Sequence, residues 1–367
     1  MKSTLFFSLF FILFFSIHVL FYLRVIRKLL VSDSIKRIFA LLISLNFLFN
    51  ILYVVGRYSD IITSKIYFLF SISIGVTFVL ILYLFIHEAI HLFHKTLKSV
   101  DPSKRKFIKQ SGDGMLMALS TAYITTGVYE GSKKPVINVV EMGLFDFSIV
   151  QISDLHIGGL IDREFVRHSV EKINSLKADI VIITGDLIDT DIYSIERAVL
   201  ELNAIKSKHG IYYILGNHEY FHHPEDIIEF VQKRTKLTLL LNDSITIDAL
   251  SINIVGVTDL FGYRADLLEP DINRAYSGVN PNYKTILLAH QPKFIQYLGE
   301  YRPDLILCGH THGGQIWPFA HLVKLQQPYV KGLHTLPNGS MIYINSGIGF
   351  WGPPMRLGSQ AEIAYLV

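Results

Sequence analysis

Two histidines stand two residues apart in a glycine-rich turn, within the segment Cys308-Gly309-His310-Thr311-His312-Gly313-Gly314-Gln315. They follow the apolar run 305–307, which predicts a buried strand that ends at the turn. In extended chain, side chains two residues apart point the same way, so His310 and His312 can face one cavity. Neutral imidazole is the commonest metal ligand, and glycine lets backbone approach a ligand closely. Because two ligands cannot hold a metal, the pattern predicts partners elsewhere in the chain.

Four further apolar runs also end in residues that can bind a metal. The residues that follow these runs are Asp154 and His156, Asp186, Asn217 and His218, and His290. Strands that end in such residues are typical of a sheet whose carboxyl edge holds a site. Carboxylate, imidazole and amide oxygen suit a hard or borderline divalent cation. Two such ions, about 3.5–4 Å apart, need a bridging carboxylate, and Asp186 is our candidate for that bridge.

The ordered blocks D-x-H, G-D, G-N-H-E, a lone His and G-H-T-H-G-G-Q resemble the calcineurin-like metallophosphoesterases. The resemblance covers about residues 145–367, and the segments 343–347 and 352–356 are similar to the membrane-associated bacterial branch of that family. It implies an α/β fold, the family's αββα sandwich, with helices outside two packed sheets. The expected catalytic domain is 135–367.

The resemblance also implies which residues do the chemistry. Two divalent ions are expected, Mn²⁺ in the first place, with Fe, Zn or Mg as alternatives. The implied ligands are Asp154, His156, Asp186 and His312 for the first ion, and Asp186, Asn217, His290 and His310 for the second. Asp186 and His218 are the expected catalytic residues, with His218 as the general acid that protonates the departing oxygen.

Three further residues have two interpretations each, and a fourth, Glu219, has one. Arg356 could bind the substrate phosphate or form a structural ion pair, and His222 could touch substrate or lie at a solvated helix start. Asp189 could orient a histidine or cap the next helix, and we expect the cap. Glu219 is expected to hydrogen-bond around a metal ligand.

Composition limits the class of protein. The 367 residues have a mean hydropathy of +0.37, so a lipid-facing part is expected beside one soluble domain. The net charge of +3 gives a nucleic-acid partner no support. Cys308 is the only cysteine, which excludes a disulfide within one chain, and we expect it to be a buried, inert side chain.

Residues 1–130 are expected to form a transmembrane anchor. Apolar stretches at about 4–22, 38–55 and 67–86 predict three membrane helices, and a weaker fourth stretch lies at 114–129. Basic residues crowd the first and third connections, whereas only Arg57 and Lys65 mark the second. The positive-inside rule therefore places the N-terminus outside and loops one and three, the latter including Lys98, in the cytoplasm.

The side that the catalytic domain faces stays open in the sequence. The segment 103–109 resembles a degenerate twin-arginine export motif, which favours an exported domain if the fourth stretch crosses the membrane. An interfacial fourth helix would leave the domain cytoplasmic. In either case the expected location is the bacterial inner membrane, with several spans.

A second motif predicts a different enzyme. His87-Glu88-Ala89-Ile90-His91 fits H-E-x-x-H, in which two helical histidines bind zinc and the glutamate acts as base, and His94 follows one turn later. An intramembrane metalloprotease is therefore an alternative. The other interpretation is that these are polar residues at a helix end near the membrane interface.

Within the catalytic domain, 136–140 is expected to be the first strand, and helices are predicted over 163–176, 194–205 and 224–234. The segment 237–256 reads as consecutive strands and predicts a second, partly antiparallel sheet.

A membrane-anchored hydrolase suggests a phosphorylated, lipid-linked substrate and the lipid bilayer as partner. By family analogy, the UDP-2,3-diacylglucosamine pyrophosphatases of lipid A synthesis fit best, although the soluble ones carry Arg where this chain has His218. A broad phosphodiesterase or lipid phosphatase with an exported domain is the alternative. The aromatic residues Trp317, Phe319, Phe350 and Trp351 could be interfacial anchors, an acyl-chain wall or ordinary core.

Overall fold

The computed structural model describes residues 2–56, 64–96 and 101–367. Arg57 and Lys98, which entered the topology prediction, lie outside the described residues. The chain forms two compact units. One comprises the residues up to Glu130 together with Gly352–Met355, and the other comprises Gly131–Trp351 and Arg356–Val367.

Long helices make up the first unit. They are α1 (Lys2–Arg24), α2 (Asp33–Gly56), α3 (Ser64–Thr96) and α4 (Pro102–Gly131). Three segments, Ser8–Lys28, Asp33–Gly56 and Lys65–Leu92, are long and apolar enough to cross a membrane, with mean hydropathies of 2.3, 2.3 and 2.6. The three predicted membrane helices are therefore confirmed as candidate spans. The weaker fourth stretch lies within α4, which is not among the described helices that meet this criterion.

A buried polar network connects the three candidate spans. Asn50, which is fully buried, donates to Thr77 Oγ1 at 2.7 Å and accepts from Ser73 Oγ at 2.8 Å. Asn46 donates to Thr77 Oγ1 at 2.9 Å and lies 3.0 Å from His18 Nε2. Side-chain hydrogen bonds of this kind hold membrane helices together, because hydrocarbon offers polar groups no other partner. The network thus joins α1, α2 and α3.

The second unit is built on two mixed sheets. The first has the order β1-β12-β2-β3-β4-β5, and the second has the order β10-β11-β9-β8-β7-β6. The strands are β1 Val136–Val140, β2 Ile149–Ile152, β3 Ile180–Ile183, β4 Ile211–Tyr213, β5 Thr238–Leu239, β6 Asp243–Ile247, β7 Ile252–Gly256, β8 Lys284–Leu288, β9 Leu305–Cys308, β10 Gly332–Thr335, β11 Met341–Ile344 and β12 Glu362–Leu366. The pairs β2–β12, β6–β7 and β10–β11 are antiparallel, and the others are parallel.

The helices of the second unit are α5 Arg163–Ser175, α6 Glu196–Val199, α7 Pro224–Arg234, α8 Gly262–Ala265, α9 Ile272–Ala275 and α10 Ala320–Val323. The first three pack on the outer face of the first sheet, and α9 packs on that of the second. The helix predicted over 194–205 was too long. Asp191 accepts hydrogen bonds from the amides of Tyr193 and Ser194, which holds that segment in a turn, and 200–204 forms a 3₁₀ turn after α6.

The core has three apolar layers, which confirms the αββα sandwich. Between the sheets, Ile180 and Tyr212 of the first pack with Ile286 and Leu307 of the second. Outside the first sheet, its other side chains pack against α5, α6 and α7. Outside the second sheet lies a further cluster, which includes Cys308, fully buried as expected. The parallel strands at the centre of each sheet consequently end at the same edge of the sandwich.

Candidate metal centre

Five parallel strands deliver the predicted ligands to this edge. Strands β2, β3 and β4 of the first sheet are followed by Asp154 and His156, by Asp186, and by Asn217. Strands β8 and β9 of the second sheet are followed by His290 and by His310 and His312. Both sheets therefore contribute to one site, as the sequence predicts for strand ends that share an edge.

One group of possible ligands contains Asp154, His156 and His312, whose ligand atoms all lie within 4.8 Å of one another. His312 Nε2 lies 3.1 Å from His156 Nε2 and 3.4 Å from Asp154 Oδ1. Ligand atoms that each lie about 2.1 Å from one ion are about 3.0–3.4 Å apart. These three side chains are thus spaced as ligands of a single cation.

A second group contains Asp186, His290 and His310, again within 4.8 Å. His290 Nε2 lies 3.2 Å from Asp186 Oδ2. The other ring nitrogen of His290, Nδ1, lies 2.7 Å from the carbonyl oxygen of Thr184, to which it can donate a proton. This contact fixes the ring and leaves Nε2 as the atom that can bind a metal.

Asp186 belongs to the second group and also lies close to the first. Its Oδ2 is 3.9 Å from His156 Nε2, 3.2 Å from His290 Nε2 and 4.0 Å from His218 Nε2. Its Oδ1 accepts a hydrogen bond from the amide of His218 at 2.8 Å. One carboxylate oxygen therefore faces ligands of both groups, which is the position that a bridge requires.

The polar atoms of the site fit a bound cation. His290 Nε2 and Asn217 Oδ1 are buried without a hydrogen-bond partner among the described residues. An unsatisfied buried polar atom costs about 1–3 kcal/mol, and coordination to an ion removes that cost. A largely buried set of carboxylates and imidazoles with such unpaired atoms is the donor set that two divalent metals prefer.

The imidazoles of the site differ in the direction of their pKa shifts. Burial lowers the pKa of His156 to about 4 and that of His310 to about 3, so both rings are neutral near pH 7 and able to coordinate. Burial also lowers the pKa of His290, but the Asp186 carboxylate outweighs it and raises that pKa. Positive charge is thus stabilised beside Asp186.

His218 has a partner that the sequence analysis did not favour. Its Nδ1 lies 2.6 Å from Asp189 Oδ1, so Asp189 orients this ring. The expected helix cap was wrong, because the next helix starts only at Glu196, directly after Ile195. Burial lowers the pKa of His218, but Asp186 and Asp189 outweigh it and raise the pKa.

Glu219 fastens the turn after β3 to the turn after β4. It is fully buried and accepts hydrogen bonds from the amides of Asp186, Leu187, Ile188 and Gly216. The expectation that it hydrogen-bonds around a ligand is confirmed, and its contacts are to backbone. It fixes the path of the chain on both sides of Asp186.

The ligands sit in unusual backbone conformations. Asp154, His156, Asp186, His310 and His312 all have positive φ, at 54°, 51°, 49°, 69° and 49°. Such conformations are uncommon for residues other than glycine and concentrate at functional sites, where the surrounding fold enforces them. Each marks a sharp turn directly after a strand.

Two glycines are required by the close approach of neighbouring turns. A Cβ at Gly309 would collide with Ser153 and Asp154, and one at Gly216 would collide with the Asp186 carboxylate. The backbone at Gly309 therefore passes close to the Asp154 side chain.

Arg356 makes backbone contacts, and its contact with a substrate phosphate stays a prediction. The residue is 1 % exposed, and its guanidinium donates to the backbone carbonyls of Ser346, Gly347 and Gly349. Burial lowers its pKa to about 10, so it remains a cation. Its role is to hold the loop after β11. His222 lies 3.8 Å from Asp189, and its contact with substrate stays a prediction.

Asp259 is a carboxylate at this edge that the sequence analysis missed. It follows β7, is 1 % exposed, and accepts a hydrogen bond from Gln291 Nε2 at 2.8 Å, beside His290. The signal was available, because Asp259 too stands just after an apolar strand.

In the described part of the chain, the H-E-x-x-H motif at His87–His91 does not belong to a group of possible metal ligands. The His87 and His91 rings stack with centroids 6.4 Å apart. Within the part of the chain that the structure describes, all groups of three possible ligands lie at the sheet edge, and none includes His87 or His91. The side chain of His94 lies outside the described residues.

Comparison with known proteins agrees with this geometry. The family model of the calcineurin-like phosphoesterases matches residues 147–314. A metallophosphoesterase of Helicobacter pylori is 38 % identical over 317 residues, which cover 84 % of this chain and 84 % of that protein. The chain belongs to the calcineurin-like metallophosphoesterases. A Campylobacter jejuni metallophosphoesterase is 31 % identical over 94 % of this chain and 93 % of its own length.

A bovine relative, named as a transmembrane protein with metallophosphoesterase domain, is 30 % identical over 74 % of this chain and 65 % of its own length. Among solved structures, a dimetal phosphatase from Danio rerio aligns with 56 % of this chain and 88 % of its own, at 11 % identity and a TM-score of 0.36. This last likeness is too weak to carry an argument. This calcineurin-like metallophosphoesterase is a metal-dependent hydrolase of phosphoester bonds and a membrane protein with three candidate spans.

Proposed function

We propose that this metallophosphoesterase holds two divalent ions, Mn²⁺ in the first place, and cleaves a phosphodiester or phosphoanhydride bond of a lipid-linked substrate. Asp154, His156 and His312 would hold the first ion, and Asn217, His290 and His310 the second, with Asp186 shared by both. The single observation that carries the proposal is the position of Asp186 Oδ2, within 4 Å of ligand nitrogens in both groups.

When bound, the two ions would lower the pKa of a water molecule and neutralise charge on the phosphoryl oxygens. The protein's own residues would do the rest. His218 Nε2 points toward the site, 4.0 Å from Asp186 Oδ2, and its Nδ1 is held by Asp189. A protonated His218 can therefore donate a proton from Nε2 to the departing oxygen, while Asp189 stabilises the ring before the transfer.

Aromatic side chains surround the acid and support an apolar leaving group. The ring centroids of Phe221 and Trp351 lie 5.4 and 6.1 Å from that of His218, and Phe261 packs on Phe221 at 4.8 Å. Phe221 and Trp351 are about half exposed, which leaves apolar surface beside the group that donates the proton. A lipid part of the substrate would cover this surface.

UDP-2,3-diacylglucosamine is the lipid-linked substrate that we propose to test first, in a bacterial inner membrane and with the catalytic domain in the cytoplasm. An exported domain would favour a broad phosphodiesterase or lipid phosphatase. The exposed rings of Phe221 and Trp351 support UDP-2,3-diacylglucosamine and a lipid phosphate alike, because both carry acyl chains near a phosphate.

The test uses the full chain purified in detergent and loaded with Mn²⁺. We expect hydrolysis of bis-p-nitrophenyl phosphate, and a loss of at least about 10³-fold on Asp186→Ala, because the shared ligand is gone. Asp146→Asn, an exposed carboxylate of the same unit, is the matched control and should leave the rate unchanged. Undiminished turnover by the Asp186 variant would reject the site. Incubation with lipid extracts and mass analysis of the cleaved bond then tests the substrate.

A further inference from the structure

An apolar segment that emerges from the metal-binding turn has no role in the chemistry described above. It runs from Trp317 to Leu325, directly after the turn that contains His312. Its exposed fractions are 58 % for Trp317, 40 % for Phe319, 56 % for Leu322 and 80 % for Leu325. Four large apolar side chains exposed within nine residues form a patch, and soluble proteins seldom leave such a patch uncovered unless it binds something.

The short helix α10 gives this segment one apolar side. Phe319, Leu322 and Leu325 follow at intervals of three residues, and the amide of Leu322 donates to the carbonyl of Phe319, as that of Leu325 does to Leu322. Side chains three residues apart in such turns lie on neighbouring positions of one face. The exposed apolar groups therefore form one surface.

The segment and its flanks in the sequence carry charge of one sign. The chain has no Asp or Glu between Asp304 and Glu362. Lys324 within the segment and Lys331 after it are exposed, as is His321. An amphipathic surface with basic residues and exposed Trp, Phe and Leu is the pattern by which proteins enter the interface of an anionic bilayer.

We propose that the segment Trp317–Leu325 inserts into the headgroup region of an anionic bilayer. The bilayer is the occupant because the same chain carries three candidate membrane spans, and because a segment with basic residues and no acidic residue near it in the sequence complements anionic lipid. A second copy of the chain would bring the same positive charge against itself. This inference does not depend on the proposed substrate or on turnover.

Insertion would bring the metal-binding turn to the membrane surface. The base of the segment is fixed, since Ile316 is buried and the Trp317 amide donates to the Leu357 carbonyl at 2.7 Å. Only five positions separate Trp317 from His312. A lipid phosphate could then reach the site without leaving the bilayer plane.

Trp317 and Trp351 are the only tryptophans of the chain, so Trp351→Phe leaves Trp317 as the sole indole. The variant, as the full chain, is reconstituted into vesicles of phosphatidylglycerol and phosphatidylcholine with brominated acyl chains. We expect at least about a twofold drop in Trp317 emission relative to unbrominated vesicles, and protection from aqueous iodide, since interfacial segments sit about 5–10 Å into the headgroup boundary. Leu322→Asp with Leu325→Asp in the same background should reduce the bromine quenching.

A second variant does not depend on the Trp351 replacement. Because Cys308 is fully buried, Leu325→Cys provides one accessible thiol for a nitroxide label. We expect the label to be more accessible to oxygen than to a water-soluble nickel complex, whereas Asn282→Cys, exposed elsewhere in the same unit, should show the opposite. A label at 325 as accessible to nickel as that at 282, or Trp317 emission quenched by iodide and insensitive to bromine, would overturn the proposal. The proposal would also be overturned if Trp317 were protected from iodide without vesicles and lost this protection on dilution. That result would show that a second copy of the chain covers the segment.

Discussion

His218 is the residue whose replacement should separate proton donation from metal binding. His218→Asn removes the acid but keeps Asp186 and the other proposed ligands. For a diester with an alkyl leaving group we expect turnover to fall about 10²–10⁴-fold, the usual contribution of a general acid. A p-nitrophenolate departs without a proton, so bis-p-nitrophenyl phosphate should lose much less. The measurement is kcat for both substrates with the same enzyme preparation.

The activity on bis-p-nitrophenyl phosphate is the control for folding and metal content, because a misfolded or metal-free variant would lose both activities alike. Equal losses would show that His218 does not protonate the leaving group. Asp189→Asn should follow the same pattern more weakly, since it removes only the partner that holds the His218 ring at Nδ1.

At the residue scale, the sequence predicts best the positions of the proposed metal ligands. Asp154, Asp186 and His290 each follow an apolar run, and that local pattern sufficed to place them together. The roles of Arg356 and Asp189 could not be assigned from sequence, for the opposite reason. Their partners, the Ser346–Gly349 carbonyls and the His218 ring, depend on tertiary contacts that no local pattern reveals. An arginine or aspartate near a motif has too many possible partners to be assigned from spacing.

At the scale of elements, Asp179 joins the starts of two strands. It accepts from the amide and hydroxyl of Ser148, just before β2, and lies 2.6 Å from Lys208 Nζ. Burial raises its pKa, but the Lys208 and Ser148 contacts outweigh this and hold the pKa at about 2. A carboxyl whose folded pKa is depressed stabilises the fold above its unfolded pKa, about 4, and this contribution is lost as the pH falls toward 2.

Asp179→Asn should therefore destabilise the second unit by about 1–2 kcal/mol near neutral pH, after allowance for solvent screening, and by much less near pH 2. The measurement is the unfolding midpoint of the purified chain as a function of pH. Asp191→Asn, also a turn carboxylate of this unit, is the control for a general charge effect. A difference from wild type that stays constant from pH 7 to 2 would contradict the assigned pKa.

The helical unit offers a second prediction about elements. Asn50 contacts both Thr77 and Ser73, so Asn50→Ala leaves two buried hydroxyls with fewer partners. We expect a loss of about 0.6–2 kcal/mol, the range for hydrogen bonds between membrane helices. The measurement is unfolding in mixed micelles of increasing dodecyl sulfate content. Leu48→Ala, on the same helix but 47 % exposed, should cost less, and an equal cost would indicate general packing loss.

For the whole molecule, the layered architecture was predictable and the strand order was not. Alternating strands and helices predict an α/β layered domain, and the consecutive strands predicted over 237–256 include the antiparallel pair of β6 and β7. The insertion of β12 between β1 and β2 was not visible, because it depends on pairing over more than two hundred residues. The predicted membrane helices were too short, since apolarity marks only the part of each helix that fits the bilayer core.

The ligands come from both sheets, so metal binding should stabilise the second unit as a whole. Strands β2, β3 and β4 belong to one sheet, and β8 and β9 to the other, and Asp186 faces His290 across them. At a hundred times the dissociation constant, an ion that binds only the folded state adds about 2.7 kcal/mol. Chelation should therefore lower the unfolding midpoint, and Mn²⁺ should restore it. Because Asp186→Ala lacks the shared ligand, its midpoint should respond little to either treatment, whereas Asp146→Asn should respond like wild type. If chelation does not change the unfolding midpoint of the wild-type chain, ions at this edge do not contribute to the stability of the sandwich.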